Sequence, residues 1–272
     1  MIRSGKRTME TSFCSQLANG HKSKSQIARV LTEAWTEQHM YCPVCGWPAI
    51  CKFPNNRAVA DFYCPSCNNQ FEQKSKNGAF GDRISDGAYH TFIQRISGND
   101  NPNFLVMNYS LENMRVEELY FIPKFFFVPE IVEQRKPLSE NAKRAGWVGC
   151  NILLGEIPIQ GRIPIVENGF FLDKSVVLHR VKEVQAVRTE NITARSWLMD
   201  TLQCINKIAT DDFTLEMMYV FENELSKKHP DNNNVRAKIR QQLQKLRDCG
   251  MIDFLGNGRY HKTIWENDMQ RG

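Results

Sequence analysis

Residues 41–76 read YCPVCGWPAICKFPNNRAVADFYCPSCNNQFEQKSK. Two Cys-x-x-Cys pairs, Cys42/Cys45 and Cys64/Cys67, stand at a separation that suits a structural zinc site. Four thiolates close the coordination sphere of Zn²⁺ and leave no open position for chemistry. Ala58–Tyr63 reads as a strand, Cys64–Asn69 as a turn, and Gln70–Lys74 as a second strand. Side chains alternate along a strand, so Glu72 and Lys74 share one face, and Phe71 and Gln73 share the other. A hairpin pinned at the Cys64/Cys67 turn can bring Asp61 beside Glu72 and Lys74. A register slip of one residue would turn that pair to the wrong face. An aspartate on one strand and Glu-x-Lys on the next form the residue set of a metal-dependent nuclease. Asp61 and Glu72 offer hard oxygen ligands that suit Mg²⁺, and Lys74 offers a cation for charge developing at a phosphate. Two ordinary alternatives stand beside these readings: four reduced cysteines in a core, and an exposed Glu/Lys pair that is simply solvated.

The segments CPVCG, PNNRAVADFYCPSC, FEQKSKNG and DGAY, followed by NDNPNF, QRKPLS, KRAGWVGCNI and KIRQQLQKLRDCGMI, together resemble the DpnI-like methyl-directed restriction endonucleases. The likeness runs from about Lys24 to about Tyr260. It implies a PD-(D/E)xK nuclease domain followed by a winged helix, and a type II site-specific deoxyribonuclease that cuts double-stranded DNA at GATC sites with methylated adenine. It also implies a bacterial restriction system. Asp61, Glu72 and Lys74 fall on the family's catalytic positions. Ala60 stands before the aspartate, where the wider superfamily often has proline.

The chain has 272 residues and a formal charge of +5, which permits a polyanionic partner without requiring one. Nine cysteines is an odd count, and those outside the zinc set read as reduced thiols of a cytoplasmic protein. Cys51 lies between the pairs and is a poorer-spaced alternative ligand. No apolar run approaches a membrane span, and the N-terminus lacks the apolar core of a secretory signal.

The expected architecture is α+β: a mixed sheet flanked by helices, carrying the four-cysteine site, then an α/β winged helix. Residues 1–20 read as a disordered tail, with the family-like sequence starting near Met9. Residues 21–190 read as the nuclease domain and 191–272 as the winged-helix domain, the boundary falling between Val181 and Ser196. Ser25–Gln38 is amphipathic, with Ile27, Val30, Leu31, Ala34 and Trp35 inward. Glu33 on this helix is either solvated or an aid to metal binding. Asn77–Asp82 is a turn-rich loop, and Asp86–Tyr89 opens a helix running to Ile96. Phe104–Tyr109 and Glu118–Ile122 are strands, and Phe125–Phe127 are packing residues.

Two regions address DNA. Residues 134–151 form a basic loop in which Lys143 and Arg144 suit phosphate contacts. An adenine N6-methyl group projects into the major groove, where an apolar side chain can read it. Trp147 is the candidate reader, and its alternative is a core tryptophan closing a glycine-rich turn. From Ser196 on, helices at Trp197–Ile208, after Thr214 and at Val235–Asp248 precede a hairpin at Ile252–Tyr260 with an Asn-Gly turn. This is the winged-helix pattern, and its third helix enters the major groove. Asn233, Asn234, Arg236, Arg240 and Gln241 are the candidate DNA contacts there, with Arg259 on the wing. The competing function is a zinc-containing winged-helix regulator that does not cut, and the expected oligomeric state is a monomer.

Overall fold

The computed structural model of the protein describes residues 9–54, 60–79, 81–98, 101–189 and 191–263. The predicted hairpin forms. Strand β2 (Phe62–Tyr63) pairs antiparallel with β3 (Gln70–Asn77) in the register Phe62↔Phe71 and Tyr63↔Gln70. β2 is shorter than expected, and the strand's predicted start at Ala58 and Val59 lies outside the described residues. On its other side β2 pairs with β1 (Cys51–Lys52).

β3 then runs parallel to β5 (Asn103–Ser110), the one parallel pair of the main sheet. Parallel neighbours need a crossover, supplied by β4 (Arg83–Ala88) and helix α2 (Tyr89–Ser97). β6 (Arg115–Ile122), β9 (Ile163–Glu167) and β10 (Phe170–Phe171) complete a seven-stranded sheet in the order β1-β2-β3-β5-β6-β9-β10. Helix α1 (Lys24–His39) packs on the Gln73/Ser75 face and α2 on the Glu72/Lys74 face. β5 is buried on both faces, as its apolar run NFLVMNYS requires. Phe104, Phe127 and Phe92 pack edge-on or tilted within the core, and Phe125–Phe127 are all buried there.

Several expectations are corrected. Asp86–Ala88 belong to strand β4 instead of opening the helix, because β4 pairs with β8 (Gly149–Leu153). β8 also takes in the end of the stretch read as a loop and pairs with β7 (Val132–Gln134), making a second, three-stranded sheet. Residues 10–13, expected within a loose tail, are held by hydrogen bonds. Val116 N–H donates to Thr11 O, Trp35 Nε1–H donates to Glu10 O at 2.8 Å, and Phe13 is buried. Residues 1–8 and Phe80, also covered by earlier expectations, lie outside the described residues. On α1 the buried stripe is Leu31, Thr32, Trp35 and Thr36. It is rotated from the apolar pattern because the helix packs over β3 at its edge. Glu33 is not solvated: Arg29 and Lys52 both pair with it.

Helix α3 (Lys174–Ala186) follows the sheet and is capped by the Asp173 side chain. Helix α4 (Ile192–Lys207) starts earlier than Trp197, because Asn191 caps it through Ala194 N–H. Buried Arg195 at its start donates to Ile96 O at 3.0 Å, and Ser196 donates to Glu130, so the helix is seated against α2 and the turn at 129–131. The remainder is a winged helix. β11 (Asp212–Thr214), α5 (Leu215–Tyr219), α6 (Glu222–Lys228) and α7 (Val235–Asp248) lead to a hairpin of β12 (Ile252–Gly256) and β13 (Arg259–Lys262). Thr214 Oγ accepts from Met217 N–H, the expected cap. Asn257 and Gly258 both adopt positive φ, as a two-residue turn of this hand needs. Ile239, Leu243 and Leu246 are buried, together with Val235 and Gln242. Among the described residues no helix is long and apolar enough to cross a membrane.

The loop after α6 is tied to α4 by a charged hydrogen-bond network. Asp200 accepts from His229 at 2.8 Å and from Lys228 at 2.6 Å, while the His229 ring stacks on Trp197 at 3.9 Å. Burial pushes the Asp200 carboxyl up, but His229 and Lys228 outweigh it and hold it below the usual range. A depressed folded pKa contributes stability above the unfolded value and loses it as pH falls through the folded one. Asp200→Asn should therefore cost about 1.5–3 kcal/mol at neutral pH and flatten the loss of stability below about pH 4. Denaturant melts across pH check this; unchanged midpoints would remove the network from the account.

Candidate active site

The four cysteines meet as expected. The Cys42–Cys67 and Cys45–Cys64 sulfurs are 3.7 and 3.6 Å apart, and all four Sγ atoms lie within 4.8 Å of one another. Tetrahedral Zn²⁺ with bonds of about 2.3 Å requires sulfurs about 3.8 Å apart. The set fits zinc, and Cys51 lies on β1 outside it. Each pair sits on a tight turn in which Gly46 and Asn68 adopt positive φ. Their N–H groups donate to Cys42 O and Cys64 O. Burial pushes the Cys42 and Cys64 thiols up. Burial acts likewise on Cys67, but the backbone and side-chain N–H groups of Asn69 outweigh it and lower that thiol, favouring the thiolate a metal needs. Lys174 at the start of α3 donates to Gly46 O at 2.7 Å, which docks the first turn on the helix.

Downstream of this turn, β3 presents Glu72 and Lys74 on one face. Lys74 Nζ lies 2.7 Å from Glu72 Oε1 and 2.6 Å from Asp86 Oδ1. Arg95 on α2 approaches Glu72 Oε2 at 3.5 Å. Asp86 and Arg95 complete a buried set of two acids and two bases; among the proposed catalytic positions they had no counterpart in the sequence reading. DGAY drew notice only as a likeness, and a half-buried Lys needing a second counter-charge is the one physical signal that points to Asp86. Burial pushes Glu72 up, partly offset by Lys74. Burial alone would lower Lys74, but Glu72 and Asp86 raise it, so it stays charged.

Asp61 stands apart from that pair. Its Oδ2 accepts from Gln73 N–H at 2.8 Å, the peptide between Glu72 and Lys74. The side chain sits at the edge of β3 in a cleft of about 350 Å³ with Arg29, Glu33, Gln73 and Ser75. Glu72 and Lys74 are not among its hydrogen-bond partners within the described residues. Burial raises the Asp61 carboxyl, the Gln73 N–H opposes this, and Glu33 adds to it. These groups fit a hard divalent cation. Two buried carboxylates are held above their usual range, and Asp86 Oδ2 is buried with no partner. A cation beside them supplies the missing charge.

Of the DNA candidates, Lys143 and Arg144 are exposed on the loop between β7 and β8. The Arg144 guanidinium lies over the Trp147 ring at 4.6 Å. Trp147 is half-buried, and its other contact is Gly149, where an added Cβ would meet the ring at 2.8 Å. On the winged helix, Asn233, Asn234, Arg236, Arg240 and Gln241 are exposed around the start of α7. Arg236 pairs with Glu222 and Arg240 donates to Tyr219 OH at 2.6 Å, so both are pre-aimed. Arg259 is exposed on the wing, 3.8 Å from Asp212.

Residues 9–190 match the model described as the Dam-replacing family, and residues 193–262 match the Dam-replacing HTH domain.

The zinc turn carries its own prediction. The purified chain should hold about one zinc. Cys64→Ser should lose it and expose the β2–β3 amides to hydrogen exchange. Zinc loss with unchanged protection in Cys64→Ser would show that the hairpin stands without the metal, and full zinc content would remove Cys64 from the ligand set.

Proposed function

The chain belongs to the Dam-replacing family, DpnI-like methyl-directed endonucleases with a C-terminal winged helix, and from that premise we propose a Mg²⁺-dependent type II restriction endonuclease. Its substrate is double-stranded DNA at GATC sites carrying N6-methyladenine. The nuclease unit spans residues 21–190 and the winged helix residues 191–272, acting together as a cytoplasmic monomer. The observation that carries the reading is the 2.7 Å pair of Glu72 and Lys74 on β3, one peptide from Asp61.

Asp61 and Glu72 are the groups that would hold Mg²⁺. When bound, the ion polarises a phosphodiester and makes water acidic enough to attack it. The chain's own part is positional. Asp61, positioned by the Gln73 N–H on Oδ2, would offer a carboxylate oxygen to the ion, and Glu72 would loosen its hold on its cationic neighbours to do the same. Lys74, kept protonated in its buried seat, offsets charge growing on the phosphate oxygens. The surrounding sheet excludes water and strengthens each of these interactions.

Methyl reading is assigned to both domains. Trp147, steadied by Arg144 and Gly149, supplies the apolar contact in the nuclease domain, with Lys143 and Arg144 on the phosphates. Asn233, Asn234, Arg236, Arg240 and Gln241 at the N-terminal end of α7 address the major groove, and Arg259 on the wing a phosphate. Requiring the modification twice multiplies discrimination.

Asp61→Ala should lower the single-turnover cleavage rate by at least about 10²–10³-fold while leaving duplex affinity nearly intact. Cutting at the parent rate would discard this active site. Cutting by neither variant nor parent, with zinc bound, would favour the non-cutting regulator. Trp147→Ala should narrow the preference for methylated duplex by roughly fourfold, the value of about 0.8 kcal/mol for one buried methyl-sized group. An unchanged ratio returns Trp147 to a packing role.

A further inference from the structure

Lys74 is shared by two carboxylates, and the proposed function asks one of them to leave. Glu72 Oε1 and Asp86 Oδ1 lie 2.7 and 2.6 Å from the ammonium. To hold a cation, Glu72 must loosen that contact. A buried ammonium left with no partner is costly, so without a second acid Lys74 would keep Glu72 for itself.

We propose that Asp86 is a positioning residue: it seats the Lys74 ammonium so that Glu72 is released to the catalytic cation. This rests on the active-site reading above. Asp86 is the better fixed of the two acids. Its side chain is 6% exposed, against 16% for Glu72. Its Oδ1 also accepts from Gly87 N–H at 2.6 Å. The β4–β8 register shifts between Asp86 and Ala88, an irregularity that re-aims a side chain at a strand end. Cys150 pairs with Asp86 across β8 and donates to Gly87 O, which holds the shifted peptide in place. Asp86 Oδ2 is buried without a partner, so the carboxylate retains capacity to hold Lys74 more fully once Glu72 turns away. Arg95 contacts Glu72 and so balances the mobile acid from the α2 side.

The arrangement makes a thermodynamic statement that does not depend on cutting. Removing the Asp86 charge should tighten the hold of Lys74 on Glu72 and so weaken cation binding, but only while Lys74 is present. Mn²⁺ can be titrated into the zinc-loaded full-length chain, with the free ion followed by electron paramagnetic resonance. Asp86→Asn retains the Gly87 contact and deletes the charge. It should weaken Mn²⁺ binding about tenfold in the parent and have no effect in Lys74→Met. Equal weakening in both backgrounds would make Asp86 a direct ligand or a structural residue and overturn the proposal, as would no weakening in the parent. Should Asp86→Asn fail to fold, Asp86→Ser carries the same test. A Glu72→Ala protein that binds Mn²⁺ like the parent would instead remove the active-site reading beneath it. Duplex binding should be unchanged in Asp86→Asn, and the cleavage loss should appear in kcat and recover in part with excess Mg²⁺.

Discussion

Four sulfurs converging within 4.8 Å are the constraint on which the rest depends. Four thiols that close gain little from one another, and as thiolates they repel, so a cation is what makes the convergence favourable. Its consequence is geometric. The Cys64–Cys67 turn fixes Phe62 opposite Phe71, and through that register it sets which face receives Glu72 and Lys74. Lys174 donates to Gly46 O and ties the first cysteine turn to α3, so the four-cysteine cluster adjoins both the hairpin and the helix that leads toward the winged domain.

The buried charges follow from that register. Glu72 and Lys74 enter a space already holding Asp86 and Arg95, and the four formal charges cancel. Balance is what lets two acids and two bases remain under a sheet without neutralising. Asp61 and Glu33 line a cleft toward α1, where Arg29 and Lys52 pair with Glu33. Burial raises the Asp61 carboxyl, but the Gln73 N–H it holds and the charges of Lys74 and Arg29 act to lower it, so it stays electrostatically linked to the Glu72/Lys74 set.

Much of this was legible in the sequence because it is local. Cysteine spacing, strand alternation, the Asn-Gly turn and the stripe on α7 each depend on residues a few positions apart. Val235–Asp248 and the hairpin register were readable for that reason. What was not legible came from distant partners. RISDGA has no strand signature beyond pairing with β8, 66 residues further on between Ser85 and Asn151. Asp86 looked like a helix opener because nothing nearby shows that Lys74 needs it. Residues 10–13 looked loose because their partner is the far edge of β6. Asp61 was placed with Glu72 from alternation alone, and the Gln73 N–H that claims it belongs to the backbone, which the side-chain pattern does not reveal.

The two surfaces proposed to face DNA share a feature: each candidate reader is held by a neighbour, Trp147 by Arg144 and Gly149, Arg236 by Glu222, Arg240 by Tyr219. Pre-aimed side chains lose less entropy on binding. The central claim is that this held apparatus cuts DNA only where adenine is methylated. The most direct measurement incubates the zinc-loaded protein and Mg²⁺ with one plasmid in two forms, adenine-methylated at GATC or unmethylated, and resolves the products on a gel. The account predicts fragmentation of the methylated form alone; equal cutting of both forms, or cutting of neither, would contradict it.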